Sequence, residues 1–310
     1  YKALKKKVKI NVFYVFYLSN FFFLSPYFRS TSIWPGDENI AILFFLISTY
    51  FYISFTKVRS PKEQTKFMIL NIIFLALSSY FRPIYSIFSI FFFYEFVLKK
   101  YNFSNCAVYI LVSLFLAFPA IYYVFILKKI FFYSSISQFN FFNTISLFYT
   151  TIFFYLIPFI FFFIKSFKKF KFNNINFFLT ALFSVLVYNY FNYPYLTGGG
   201  IFFKINLLLT NNKIIFTIIF AISFYLTNQF LELNKIRNFL IILTLLLFEI
   251  DGQFYMESYD PLFLICLFLF LDTKLINNFF KNDILRKINI LFIYLILFFC
   301  TKATYVYLIL

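Results

Sequence analysis

The chain has 310 residues, 63% hydrophobic and 27% aromatic, with 28 basic and 11 acidic residues and no histidine. A soluble domain of this length is near half apolar and covers itself with more charge than the 13% present here. The absence of histidine excludes His-based acid–base work, Ser–His triads and His-ligated metals, and a net charge of +17 confined to short gaps beside apolar runs fits membrane topology, not nucleic-acid binding.

A bilayer core of about 30 Å needs roughly 20 apolar helical residues. In chain order the apolar runs predict spans at 8–24, 40–56, 67–81, 84–98, 106–127, 145–164, 175–193, 213–231, 238–250, 260–271 and 288–308. The expectation is an all-α polytopic integral membrane protein of about 11 transmembrane helices, forming one transmembrane domain over 1–310. The ninth and tenth spans are short, so they are tilted or the loop joining them dips into the membrane. The chain begins at Tyr1 and ends on an apolar run, Tyr305 to Leu310. It reads as a fragment lacking an N-terminal span with its first outer loop and cut at its C-terminus. Cys106, Cys266 and Cys300 each fall in an apolar run, with no disulfide or metal spacing. The 58 Phe and 26 Tyr, with abundant Asn and Lys, are what AT-rich codons produce, so the aromatic excess carries no functional signal.

Charge alternates between the gaps. The gaps 1–9, 57–66, 99–105, 165–173, 232–238 and 272–287 hold 21 of the 28 basic residues. The opposite gaps hold Arg29, Arg82, Lys128, Lys129, Lys204 and Lys213, together with the acids Asp37, Glu38, Glu249, Asp251, Glu257 and Asp260. The positive-inside rule then puts the N-terminal end in the cytoplasm. The compartment expected is the bacterial inner membrane.

Four polar segments fall on the outer side. The first, Ser25-Pro26-Tyr27-Phe28-Arg29-Ser30-Thr31-Ser32-Ile33-Trp34-Pro35-Gly36-Asp37-Glu38-Asn39, ends in an acidic pair. Asp37 and Glu38 complement the dipole of the helix they open, or serve as carboxylates that bind a metal or a sugar hydroxyl. In the second, Ser79-Tyr80-Phe81-Arg82-Pro83-Ile84-Tyr85, Arg82 sits in a tight turn between two spans. There it snorkels to the interface or holds an anion, since a guanidinium suits phosphate. The third, Tyr193-Pro194-Tyr195-Leu196-Thr197-Gly198-Gly199-Gly200-Ile201-Phe202-Phe203-Lys204, holds three of the five glycines. It is a flexible turn or a backbone cradle for an anion with Lys204 beyond it, and it lacks P-loop spacing. The fourth, Glu249-Ile250-Asp251-Gly252-Gln253-Phe254-Tyr255-Met256-Glu257-Ser258-Tyr259-Asp260-Pro261, carries four acids among groups suited to a sugar, Gln253, Tyr255 and Tyr259. Glu95 stands apart, four residues before Lys99, as an i,i+4 pair.

The order SPYFRSTSIWPGDEN, SYFRPIY, GGGIFFK and QFYMESYDPLF resembles polytopic GT-C-type glycosyltransferases, which take a polyprenyl-phosphate-linked sugar and work on the non-cytoplasmic face. SSYFRPIYSIF is similar to the Phe-Arg-Gln segment of dolichol-dependent glucosyltransferases, with Pro83 in place of Gln. The resemblance implies sugar transfer to an envelope glycan, lipid or protein acceptor, with Asp37 and Glu38 in the catalytic acidic segment. It implies substrate binding by Arg29, Trp34, Arg82, Tyr85, Lys204, Gln253, Tyr255, Glu257 and Tyr259. No cofactor is demanded, though a divalent cation, Mg or Mn, suits carboxylate ligands. The family's usual catalytic acid would lie upstream of Tyr1. A flippase of lipid-linked saccharide and an O-antigen-type polymerase or ligase are the competing readings.

Overall fold

The structure is a computed structural model and describes residues 1–25, 28, 37–98, 103–122, 140–163, 173–195, 198–248, 254–255, 259–281 and 283–309. Among these the regular elements are all helical, with no strand. Four helices have the length and apolarity to cross a membrane: Asp37–Lys57, Pro61–Phe81, Phe141–Phe162 and Lys213–Phe230. Shorter apolar helical stretches cover Pro83–Leu98, Asn105–Ile121, Gly200–Leu209 and Ile236–Leu246. Large apolar side chains face outward, as at Leu111, Phe115 and Phe118. A lipid-facing surface has this composition; a soluble monomer rarely exposes so much. The chain divides into two compact units.

The first unit comprises Tyr1–Ser19, Phe28–Tyr133 and Leu240–Phe248. It holds α1 (Lys2–Lys7), α2 (Val12–Ser19), α3 (Asp37–Lys57) and α4 (Pro61–Phe81). Lys6 donates to the Ser54 hydroxyl and Lys57 to the carbonyl of Lys6, which ties α1 to the end of α3. Pro61 opens α4 at its first position, where its missing N–H costs nothing. The hairpin of α3 and α4 is joined by side chains inside an apolar interface. Asn71 donates to the carbonyl and hydroxyl oxygens of Ser48 at 2.9 and 2.7 Å, and Ser78 donates to the Ala41 carbonyl at 2.8 Å. Such bonds hold helices together where lipid removes the hydrophobic drive between them.

Pro83 forces Arg82 into an extended conformation (φ −136°, ψ 100°) and ends α4. The next apolar stretch is discontinuous: a 3-10 turn (Pro83–Ile87), α5 (Phe88–Phe93) and a π-helical turn (Tyr94–Leu98). Its buried face adds Tyr85, Phe88, Phe91, Phe92 and Phe96 to Phe45 and Tyr52 of α3. α6 (Phe103–Ile121) follows.

The second unit comprises Asn20–Tyr27, Ser134–Phe239 and Glu249–Leu310. It contains a 3-10 turn (Asn20–Leu24), α7 (Phe141–Phe163), α8 (Asn174–Tyr190), α9 (Gly200–Leu209) and α10 (Lys213–Phe230). α11 (Ile236–Leu246) begins in this unit and ends among the residues of the first. α12 (Leu262–Leu269), α13 (Lys274–Phe279) and α14 (Ile284–Ile309) complete the chain.

α7 is the post around which this unit is built. Ring contacts give the level of each neighbour along it. Phe142 stacks on Tyr190 at the last residue of α8, Tyr149 meets Phe224 of α10, Tyr155 meets Phe263 and Phe159 meets Phe268 of α12. α12 therefore runs beside only the second half of α7. All eight of its residues are buried.

Candidate functional site

Described residues from two non-helical stretches pack beside α7. The first follows α8. The Asn192 amide donates to the Asn143 side-chain oxygen at 2.9 Å, and the Asn143 amide group returns a bond to the Asn192 carbonyl at 2.6 Å. Eight residues later Gly200 lies against Thr151: a Cβ on Gly200 would stand 2.8 Å from Thr151 Oγ1. From Asn143 to Thr151 is about 12 Å of helix at 1.5 Å per residue. α9 then returns, with Phe203 packing on Phe191, on Tyr193 and on Phe216 in the first turn of α10. The described residues 191–195 and 198–199 are non-helical, and α9 follows them.

Phe254, Tyr255 and Tyr259 are described residues of the stretch between α11 and α12. The Phe254 carbonyl accepts from the Gly199 amide at 2.8 Å, and the Phe254 amide donates to the Tyr193 hydroxyl at 3.1 Å. Tyr259 stacks on Phe254 and meets the edge of Phe148 on α7. Tyr193, Gly199, Phe254 and Tyr259 thus meet beside the middle of α7. Non-helical backbone at such depth is tolerated where protein buries it or where it lines a cavity.

Glycine is obligatory at this meeting point. Gly198, Gly199 and Gly200 all have φ between 75° and 83°. A Cβ on Gly198 would fall 2.2 Å from the Phe254 carbonyl oxygen, and one on Gly199 would fall 2.5 Å from Phe203. Three successive left-handed residues with no room for a side chain bring the chain round into α9.

A carboxylate belongs to the same region. Asp260 is 5% exposed and its Oδ2 accepts from the Ser25 hydroxyl at 2.8 Å, with Ser25 itself 2% exposed. Ser25 follows the short 3-10 turn whose Phe21 packs on Phe268 of α12. The first, third and fourth polar segments of the sequence are thereby joined inside one unit. Asp260 counted in sequence only as one of several outer acids, and Ser25 as the start of a polar run. The pairing spans 235 positions, so no local spacing signals it.

In the first unit the sequence candidates form a second, separate group. Glu38 at the start of α3 makes an ion pair with Arg82 at the end of α4. Both are partly exposed, and Asp37 beside them is exposed. Tyr85 is 4% exposed and packs into the aromatic core against Phe45 and Phe248, which makes it a packing residue. Glu95 is buried and accepts from the Tyr52 hydroxyl at 2.8 Å, a bond from α3 that the i,i+4 expectation did not include. Lys99 lies outside the described residues.

Of the remaining candidates, Lys204 is half-buried on α9, Tyr255 is exposed and Tyr259 is fully buried at the convergence of the two irregular segments. Arg29, Trp34, Gln253 and Glu257 lie outside the described residues. Among the described residues no group of three Asp, Glu or Cys side chains gathers to hold a metal. No protein-family model, no curated protein and no solved structure matches the chain.

Proposed function

We propose that the protein is a membrane glycosyltransferase that takes a sugar from a polyprenyl-phosphate donor on the non-cytoplasmic face, in the manner of the GT-C enzymes its motifs resemble. The observation that carries the reading is the convergence of three outer polar segments at mid-helix in one unit: Ser25 with Asp260, and Gly199 and Tyr193 with Phe254. A lipid-phosphate substrate keeps its chain in the bilayer and its reactive group near the surface, so a polar site opening partway down a bundle suits it. In the bilayer the chain crosses about 11 times with its N-terminal end cytoplasmic, in a bacterial inner membrane.

In this reading a carboxylate deprotonates the acceptor hydroxyl, which attacks the anomeric carbon as the lipid phosphate departs. Glu38 is neutralised by Arg82. Asp260, buried where the segments meet, is the better base among the described outer acids. A divalent cation could be held by carboxylates of the fourth segment and would supply charge stabilisation for the departing phosphate.

Flipping of a lipid-linked saccharide is the second reading. The discontinuous span Pro83–Leu98 and the half-helices α9 and α12 favour it, since transporters bind substrate at broken helices. Membranes containing the protein, supplied with labelled polyprenyl-phosphate sugars, separate the two. Transfer that falls at least 100-fold in Asp260→Asn and persists in Asp37→Ala/Glu38→Ala supports the enzyme with Asp260 as base. Undiminished transfer in Asp260→Asn removes that role. Labelled lipid that changes leaflet without transfer turns the reading to a flippase.

A further inference from the structure

We infer that the glycine turn at the start of α9 is a phosphate-binding subsite, built from the first amides of α9, the Thr151 hydroxyl and Lys204. The inference rests on the lipid-phosphate reading for the source of the phosphate, though not for the site itself.

The decisive residue is Thr151. It is 2% exposed, and its Oγ1 has no hydrogen-bond partner among the described residues. A buried threonine in a helix normally turns its hydroxyl onto its own backbone. Its neighbour Thr150 does so, donating to the carbonyls of Ser146 and Leu147 at 2.9 and 3.0 Å. Thr49, Ser79, Thr180 and Ser223 do the same, each to the carbonyl four residues earlier. Thr151 instead presents Oγ1 to the first residue of α9, 2.8 Å from where a Cβ on Gly200 would stand. Leaving such a group without a bond costs about 1–3 kcal/mol. A ligand oxygen at the turn would satisfy it.

The surroundings specify an anion. α9 has ten residues, and the first amides of a helix carry no partner within it and the positive end of its dipole. This end faces the middle of α7, where the dipole is least screened by water. Thr151 stands ten residues into α7, about 15 Å from its start. Lys204 follows Gly200 by four residues, so it shares that face of α9, and its stem leans toward the N-terminus. A helix N-terminus, a hydroxyl donor and an ammonium group together fit a phosphate mono- or diester.

Thr151→Val separates this role from a structural one, because it keeps the shape and removes only a hydroxyl that bonds to nothing. Its melting temperature should equal or exceed that of the wild type. The purified chain in lipid nanodiscs is titrated with polyprenyl monophosphate, with unphosphorylated polyprenol and with inorganic phosphate, and Kd is read for wild type, Thr151→Val, Thr151→Ser and Lys204→Gln. The expected result is binding of polyprenyl monophosphate and not of polyprenol. Affinity should fall about tenfold in Thr151→Val and in Lys204→Gln and stay near wild type in Thr151→Ser. Binding of inorganic phosphate with the same dependence on Thr151, and no gain from the polyprenyl chain, would keep the site and overturn the lipid-phosphate reading. Polyprenyl monophosphate bound equally by wild type, Thr151→Val and Lys204→Gln would overturn the site and keep that reading. No binding of any phosphate to the wild type would overturn the site.

Discussion

Arg82 shows how one residue can satisfy two expectations at once. It stands in the tight turn before Pro83, where a guanidinium is costly unless paired, and its partner is Glu38, 44 positions away. The turn, the arginine and the acidic pair were each legible in the sequence. Their meeting was not, because it depends on the lengths of α3 and α4 matching across the hairpin. Side-chain exposures of 44% and 23% limit what the pair contributes to stability to about 1 kcal/mol or less. Arg82→Gln should therefore lower the melting temperature only slightly. The exchanged pair Glu38→Arg/Arg82→Glu should recover that loss. If transfer activity falls at least tenfold in Arg82→Gln and returns in the exchanged pair, Arg82 acts through its partner. If it stays lost while stability returns, the guanidinium itself meets substrate.

At the scale of elements, the hairpin of α3 and α4 was predictable from apolar runs with Ser60-Pro61 between them, and the structure places both helices within a few residues of the expected spans. What joins them was hidden, since Ser48, Asn71 and Ser78 look like ordinary polar interruptions. Asn71 is fully buried and bridges the two helices through Ser48. Asn71→Ala should destabilise the protein in detergent by about 0.6–2 kcal/mol, the range for interhelical side-chain bonds in membrane bundles. Ser48→Ala in the same background should add little, because the bond is already gone. Additive losses in the double variant would show that the two residues do not act as a pair. α9 was missed altogether. The run from Ile201 to Leu209 is nine residues long and interrupted by Lys204 and Asn206, too short to span. The runs at 238–250 and 260–271 are short too, and between them Tyr259 meets Phe148 of α7.

For the whole molecule the question is how many of the apolar helices cross the bilayer. Among the described residues length and composition qualify four, while the alternation of charge between gaps in the sequence suggests about 11 crossings. Apolar periodicity could not settle the matter: Phe and Tyr occupy lipid-facing, core-facing and site-lining positions alike, so a helix that turns back reads much like one that crosses. α9 makes the distinction measurable. A re-entrant α9 leaves Asn192 and Lys213 on the same side of the membrane, whereas a spanning α9 would put them on opposite sides and invert every later loop. Single cysteines at Asn192 and Lys213, in a chain with Cys106, Cys266 and Cys300 replaced, should both react with an impermeant maleimide from outside the cell. A cysteine at Lys235 should react only after the membrane is permeabilised. Labelling of Asn192→Cys from outside with Lys213→Cys protected would make α9 a full crossing. It would also move Gly198–Gly200 from the middle of the bundle to its surface and dissolve the site.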